Sequence, residues 1–247
     1  MPHQTLSLRF AYEFADKVAK SLFGLCAEPV EWLTPDDPEF LSRIHKPNKD
    51  TLLHSYIRAV NDVDAGYYLR KFPGDFLPYC RSLLNTAGIS QPEWLDAYDY
   101  LVHQEELDEL FELAHAKVAD ATFQVLYADP EISRQFQDLI SELVTKTDRN
   151  KAQEIFAPTG AVRRATYLPI WLKNAIFHRD KGRCRKCMVD LTRVINPDTA
   201  LQFDHVLALA SGGTNDPTNF QLLCAACNTA KSARIEPNET PTLHMWW

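Results

Sequence analysis

Four of the six cysteines fall in two C-x-x-C pairs, Cys184/Cys187 and Cys224/Cys227. Thiolates at this spacing can meet one ion from a tight knuckle, and two knuckles complete a tetrahedral four-sulfur zinc site. In a reducing compartment this pattern predicts zinc rather than disulfides. Four protein thiolates leave no open coordination position, so the zinc is expected to be structural. It would staple a segment whose own core is too thin to fold unaided. Cys26 and Cys80 stand alone in apolar helical stretches and read as small buried hydrophobes.

A second chemical group lies between the knuckles. Leu201 to Leu209 is mainly apolar, with Asp204-His205 set in its middle. Neighbouring residues of a strand point to opposite faces, so one or both of these polar side chains must find special partners. Taken alone, the pair reads better as a hydrogen-bonded feature of a zinc-stapled binding module than as a catalytic group. Gly212-Gly213 and Asn215-Asp216-Pro217 predict a loop, Phe220 to Leu223 a short second strand, and Ala225 to Arg234 a short helix carrying Asn228 and Lys231.

The elements that must position these groups are helical. Leu6 to Cys26 carries a helix-period pattern, ended by Glu28-Pro29, and a loop rich in Pro, Asp and Lys follows from Thr34 to Lys49. Asp50 or Thr51 can cap the next helix, whose Leu52, Leu53, Tyr56, Ile57 and Val60 share one face. Pro73-Gly74 breaks it, and another helix runs from Asp75 to Ala87 with Gly88 as its C′ residue. Pro92 to Ala128 carries an amphipathic stripe, Asp129-Pro130 stops it, and a further helix reaches Thr147. The pattern lapses between Thr147 and Thr166, which places a domain boundary there. A short helix opened by Pro169 runs to Arg179. The fold class expected is mainly α, an amino-terminal helical bundle plus a small carboxy-terminal zinc-stapled domain. The divisions are 1–150 for the acidic helical domain, 151–166 for a linker, 167–236 for the zinc-stapled domain and 237–247 for a tail. Met245-Trp246-Trp247 in that tail is expected to dock onto the fold.

The carboxy-terminal pattern strongly resembles the HNH endonuclease family, the ββα-metal nucleases. The matching residues are Arg179-Asp180, Gly182-Arg183-Cys184, Asp204-His205, Gly212-Gly213, Asn215-Asp216-Pro217, Asn219, Gln221, Leu223-Cys224, Cys227-Asn228 and Lys231. Asn228 stands where the family has a second His, so this is an H-N-N variant. The resemblance leaves the first 150 residues unexplained. It implies one-metal hydrolysis of phosphodiester bonds, with His205 as general base, because a neutral imidazole can take a proton from water near neutral pH. Asp204 and Asn228 would offer oxygen ligands to one Mg²⁺ or Mn²⁺. Asn219 would hold the loop and help to orient His205. Lys231, Arg163, Arg164, Arg183, Arg185 and Lys186 are candidates for phosphate contact, although each alone also reads as a solvated charge.

The net charge of -7 hides an uneven distribution. Residues 162–236 hold 11 Lys and Arg against 6 Asp and Glu, whereas residues 1–161 hold 15 against 26. Phosphate binding therefore suits the carboxy-terminal part alone. The substrate that the resemblance implies is DNA, double-stranded rather than single-stranded. RNA cleavage, a catalytically silent zinc module and an adaptor role of the helical domain are the alternatives. The acidic domain would bind a protein partner or a second copy of the chain, as in effectors of bacterial anti-phage systems. No apolar run approaches the roughly 20 residues of a membrane helix, and the amino terminus turns polar too soon for a secretory signal, so a cytoplasmic location is expected.

Overall fold

A computed structural model describes residues 8–26, 32–71, 73–95, 102–195 and 197–231. The 237–247 tail with its terminal tryptophans lies outside these residues, as do positions 96–101 and 232–236. Among the described residues the chain is mainly α, with eight α-helices and one two-stranded antiparallel sheet. The expected fold class is therefore observed. No described helix is long and apolar enough to cross a membrane.

The chain divides into two compact units, and the division differs from the boundary expected near residue 150. One unit comprises 1–32 and 53–126, the other 33–52 and 127–247. The first is helical: α1 (Leu8–Leu22), most of α3 (Leu52–Lys71), α4 (Pro73–Thr86) and α5 (Gln104–Tyr127). Its core gathers Phe14, Phe76, Leu83, Leu84, Leu95, Ala114 and Val118. Gly88, at φ +63°, closes α4 as expected, with the Ile89 N–H returning to the Leu84 carbonyl.

The second unit contains α2 (Pro38–His45), α6 (Pro130–Lys146), α7 (Ile170–Arg179), β1 (Leu201–His205), β2 (Phe220–Cys224) and α8 (Ala225–Lys231). Helix α2 occupies part of the stretch expected to be loop. Its start has the usual physical cause: the Asp37 carboxylate accepts from the Glu39 N–H, with Pro38 at the first position. Asp129-Pro130 opens α6 in the same way, Asp129 accepting from the Glu131 and Ile132 N–H groups. Arg43, almost fully buried, folds the 46–51 segment back on α2. It donates to the Thr51 carbonyl at 2.9 Å and to Asp50 at 2.7 Å, and also pairs with Glu39. Asp50 is thus spent on Arg43, and the Leu52 N–H donates instead to Asp216, 164 residues away.

Strands β1 and β2 pair with Leu201 opposite Cys224 and His205 opposite Phe220. Their inner face packs on α7 through Leu172, Ile176, Leu191, Phe220, Leu222 and Leu223. Arg179 and Asp180, at the end of α7, brace β2. Arg179 donates to Asp180 and to the Phe220 carbonyl and lies over the Tyr127 ring, and Asp180 accepts the Leu222 N–H at 2.8 Å. The Arg179 side chain is almost fully buried, and the Asp180 carboxylate beside it balances its charge.

Candidate active site

The four cysteines of the two knuckles come together. Their Sγ atoms all lie within 4.8 Å of one another, and Cys187 and Cys224 are 3.8 Å apart. A tetrahedron with Zn–S bonds of about 2.3 Å has sulfur–sulfur edges of about 3.8 Å, so the donor set fits zinc. Burial pushes the Cys184 thiol up, but N–H groups of the knuckle backbones more than offset this and bring it down to about 7. Burial and the neighbouring sulfurs push Cys187 and Cys227 up. Four sulfurs this close ionise together only around a cation.

Strand β1 delivers His205 into the interior. The ring is 2 % exposed and tilts against Phe220 at 4.5 Å between centroids. Its Nε2 lies 3.3 Å from Asn215 Oδ1, while Nδ1 is buried with no hydrogen-bond partner among the described residues. Burial lowers the His205 pKa to about 4, aided by Arg164 and Lys231 and opposed by Asn215 and Asp204. The imidazole is therefore neutral at neutral pH and keeps a lone pair for a proton.

The loop between the strands holds this ring by backbone geometry. Gly212 turns at φ +86°, and a Cβ on Gly213 would stand 2.1 Å from the Leu207 carbonyl oxygen, so only glycine fits there. Asn219 is fully buried. Its Oδ1 accepts from the Leu207 N–H, and its Nδ2 donates to the Leu207 and Thr214 carbonyls, which pins residues 207–214. It reaches the loop and not the imidazole. The side chain at the imidazole is Asn215, to which neither the loop pattern nor the resemblance gave a role beside His205. Asp216, also buried, accepts from Leu52 N–H at 2.8 Å and Thr218 N–H at 2.9 Å. Burial pushes its carboxyl up, and these donors work against that.

Asp204 directly precedes His205 on β1. Its Oδ2 is 2.7 Å from Lys231 Nζ, which also donates to the Val206 carbonyl at 3.1 Å and to the His205 carbonyl. Three oxygens thus surround one positive charge. Asn228 is half-buried on α8, one turn before Lys231. The oxygens gathered round this ammonium are of the hard kind that suits Mg²⁺ or Mn²⁺.

The expected phosphate-binding residues separate into two groups. Lys231 is 9 % exposed and turned inward to Asp204, so it is a bracing ammonium rather than an open contact. Arg185 is likewise drawn in, donating to the buried Asp180 at 3.1 Å. Arg163, Arg164, Arg183 and Lys186 are exposed, and Arg183 also donates to the Met188 carbonyl. Arg163 borders an open cavity of about 340 Å³ with Arg149, Phe156 and Gly160. The partners of Lys231 and Arg185 are 27 and 5 positions away, and neither pairing is announced by a motif.

The HNH endonuclease family model matches residues 184–234, of which 232–234 lie outside the described residues. No curated protein and no solved structure matches the chain. The match, the thiolate cluster and the ββα order agree on one module.

Proposed function

We propose that this chain, through the HNH endonuclease domain of residues 184–234, is a metal-dependent endonuclease that hydrolyses phosphodiester bonds of DNA. The observation that supports it most is the state of His205: buried, neutral, tied at one nitrogen and unpartnered at the other. Such an imidazole has little to gain as a structural group, because a buried nitrogen without a partner costs stability. Its unpartnered Nδ1 is placed to take a proton from an attacking water. His205 takes the proton at Nδ1, and Phe220 and the 207–214 loop keep the ring from turning away. Asp204 and Asn228 would hold one Mg²⁺ or Mn²⁺. When bound, that ion supplies charge stabilisation at the scissile phosphate and the leaving 3′ oxygen. Admitting it requires the Lys231 ammonium to give up Asp204. Asn219 keeps the loop in register below His205. Arg163, Arg164, Arg183 and Lys186 supply the outward positive charge that double-stranded DNA would meet.

The amino-terminal helical unit, acidic and unsuited to phosphate, would recruit a protein partner or a second copy and so deliver or restrain the nuclease, as an anti-phage effector would. The decisive experiment is a Mg²⁺- or Mn²⁺-dependent plasmid digest of wild type beside His205→Ala, with EDTA as control and an RNA substrate in parallel. Wild-type cleavage of DNA, lost in His205→Ala with zinc content unchanged, is the expected result. Equal cleavage by the variant would remove His205 from the chemistry. Faster cleavage of RNA would replace the substrate, and binding without cleavage would leave a silent zinc module.

A further inference from the structure

Asn215 has no exposed surface, and its backbone N–H and both ends of its side-chain amide are engaged. Its backbone N–H donates to the Ile44 carbonyl at 2.9 Å. Its Nδ2 donates to the His45 carbonyl at 2.9 Å and to the Arg163 carbonyl at 2.7 Å. Its Oδ1 accepts from the Ala165 N–H at 3.1 Å and lies 3.3 Å from His205 Nε2. An amide can be turned end for end only if its neighbours tolerate the exchange. Here they do not: two carbonyls demand donors on one side, and the Ala165 N–H demands an acceptor on the other. The atom facing His205 is therefore oxygen.

This settles where the proton of the neutral imidazole sits. Opposite an amide oxygen, Nε2 must carry the hydrogen, because the other tautomer would face two lone pairs across the contact in a dry site. Nδ1 is then the lone-pair nitrogen, and it is the one without a protein partner. Asn219, which the resemblance offered for this role, spends its amide on Leu207 and Thr214.

We infer that Asn215 is the positioning residue of the active site. It fixes the His205 proton on Nε2 and presents Nδ1 as the base, and it draws its own orientation from the end of α2 and from residues 163–165. The tautomer assignment stands on geometry alone, whereas its catalytic meaning rests on His205 being the base proposed above. The 33–52 segment, far away in sequence, thereby becomes part of the catalytic apparatus. Residues that orient a functional imidazole from behind typically contribute about 10- to 100-fold to activity.

The test is ¹⁵N-histidine NMR of the full-length, zinc-loaded protein without added Mg²⁺ or Mn²⁺, at neutral pH. The His205 signals are assigned by their loss in His205→Ala. The expected spectrum has a protonated, pyrrole-like Nε2 and an unprotonated, pyridine-like Nδ1. In Asn215→Ala the two nitrogens should move toward a mixed tautomer, and kcat should fall about 10- to 100-fold with KM unchanged. A wild-type spectrum with the proton on Nδ1 overturns the inference, even if Asn215→Ala fails to fold. An unchanged tautomer in a folded Asn215→Ala overturns it too. If wild type showed the Nε2–H tautomer yet cut no nucleic acid, the proton placement would stand and only the nuclease reading would fall.

Discussion

The thiolate corner and the His205 loop belong to one small module, yet they are secured in opposite ways. The corner is local. Two C-x-x-C units supply all its ligands, and β1–β2 pairing sets Cys224 opposite Leu201. One ion can then hold it. The loop is not local. His205 leans on Asn215, Asn215 on residues 44, 45, 163 and 165, and Asp216 on residue 52. A metal staple gives a short chain its shape, whereas placing one imidazole to a few tenths of an ångström takes many weak bonds from distant segments.

The contrast is broken most severely at the corner. Cys224→Ser, or stripping zinc with a strong chelator, should unfold the module, since structural zinc contributes about 10 kcal/mol or more to such folds. Zinc content and thermal melting followed by circular dichroism would show it, and a chelated protein that still melts cooperatively at the same temperature would contradict it. On the loop side, Asp216→Ala removes a buried acceptor of two backbone N–H groups. It should cost about 2–4 kcal/mol in urea unfolding and take nuclease activity with it. Gly213→Ala forces a Cβ against the Leu207 carbonyl, so a loss of about 1–3 kcal/mol is expected with zinc retained. Activity should fall further than stability, and a fully active variant would show the loop to be more plastic than drawn. The smallest effect separates the charges. Arg163→Ala or Arg164→Ala should each lower the slope of log affinity against log salt for DNA by about 1. Lys231→Ala should leave the slope alone, because that ammonium is bound to Asp204. A lowered slope for Lys231→Ala would return it to the phosphate contacts.

What could be read from sequence follows the same line. The cysteine pairs, the Asp204-His205 strand, the Gly212-Gly213 turn and the Asp129-Pro130 helix start are all short-range patterns, and each is visible as spacing. The placement of α2 and α6 beside the loop between the strands was not visible. It depends on Gln137 donating to Thr218 at 2.8 Å and on Asn215 meeting the end of α2, pairings that leave no periodic trace in the chain. The lapse in pattern between 147 and 166 looked like a linker. Yet the Arg163 N–H returns to the Ile155 carbonyl, and Ala165 bonds Asn215. Arg185 and Lys231 show the same limit, because a basic residue reads as solvated until its carboxylate is located.

Because Ile44, His45 and Leu52 close on residues 215 and 216, order of synthesis matters. The ribosome releases the early half of this clasp long before the late half exists, at roughly 5–20 residues per second. Throughout that interval the nascent polypeptide carries an unfinished anchor. The 33–52 segment must therefore wait for residues 215 and 216 before its clasp can close.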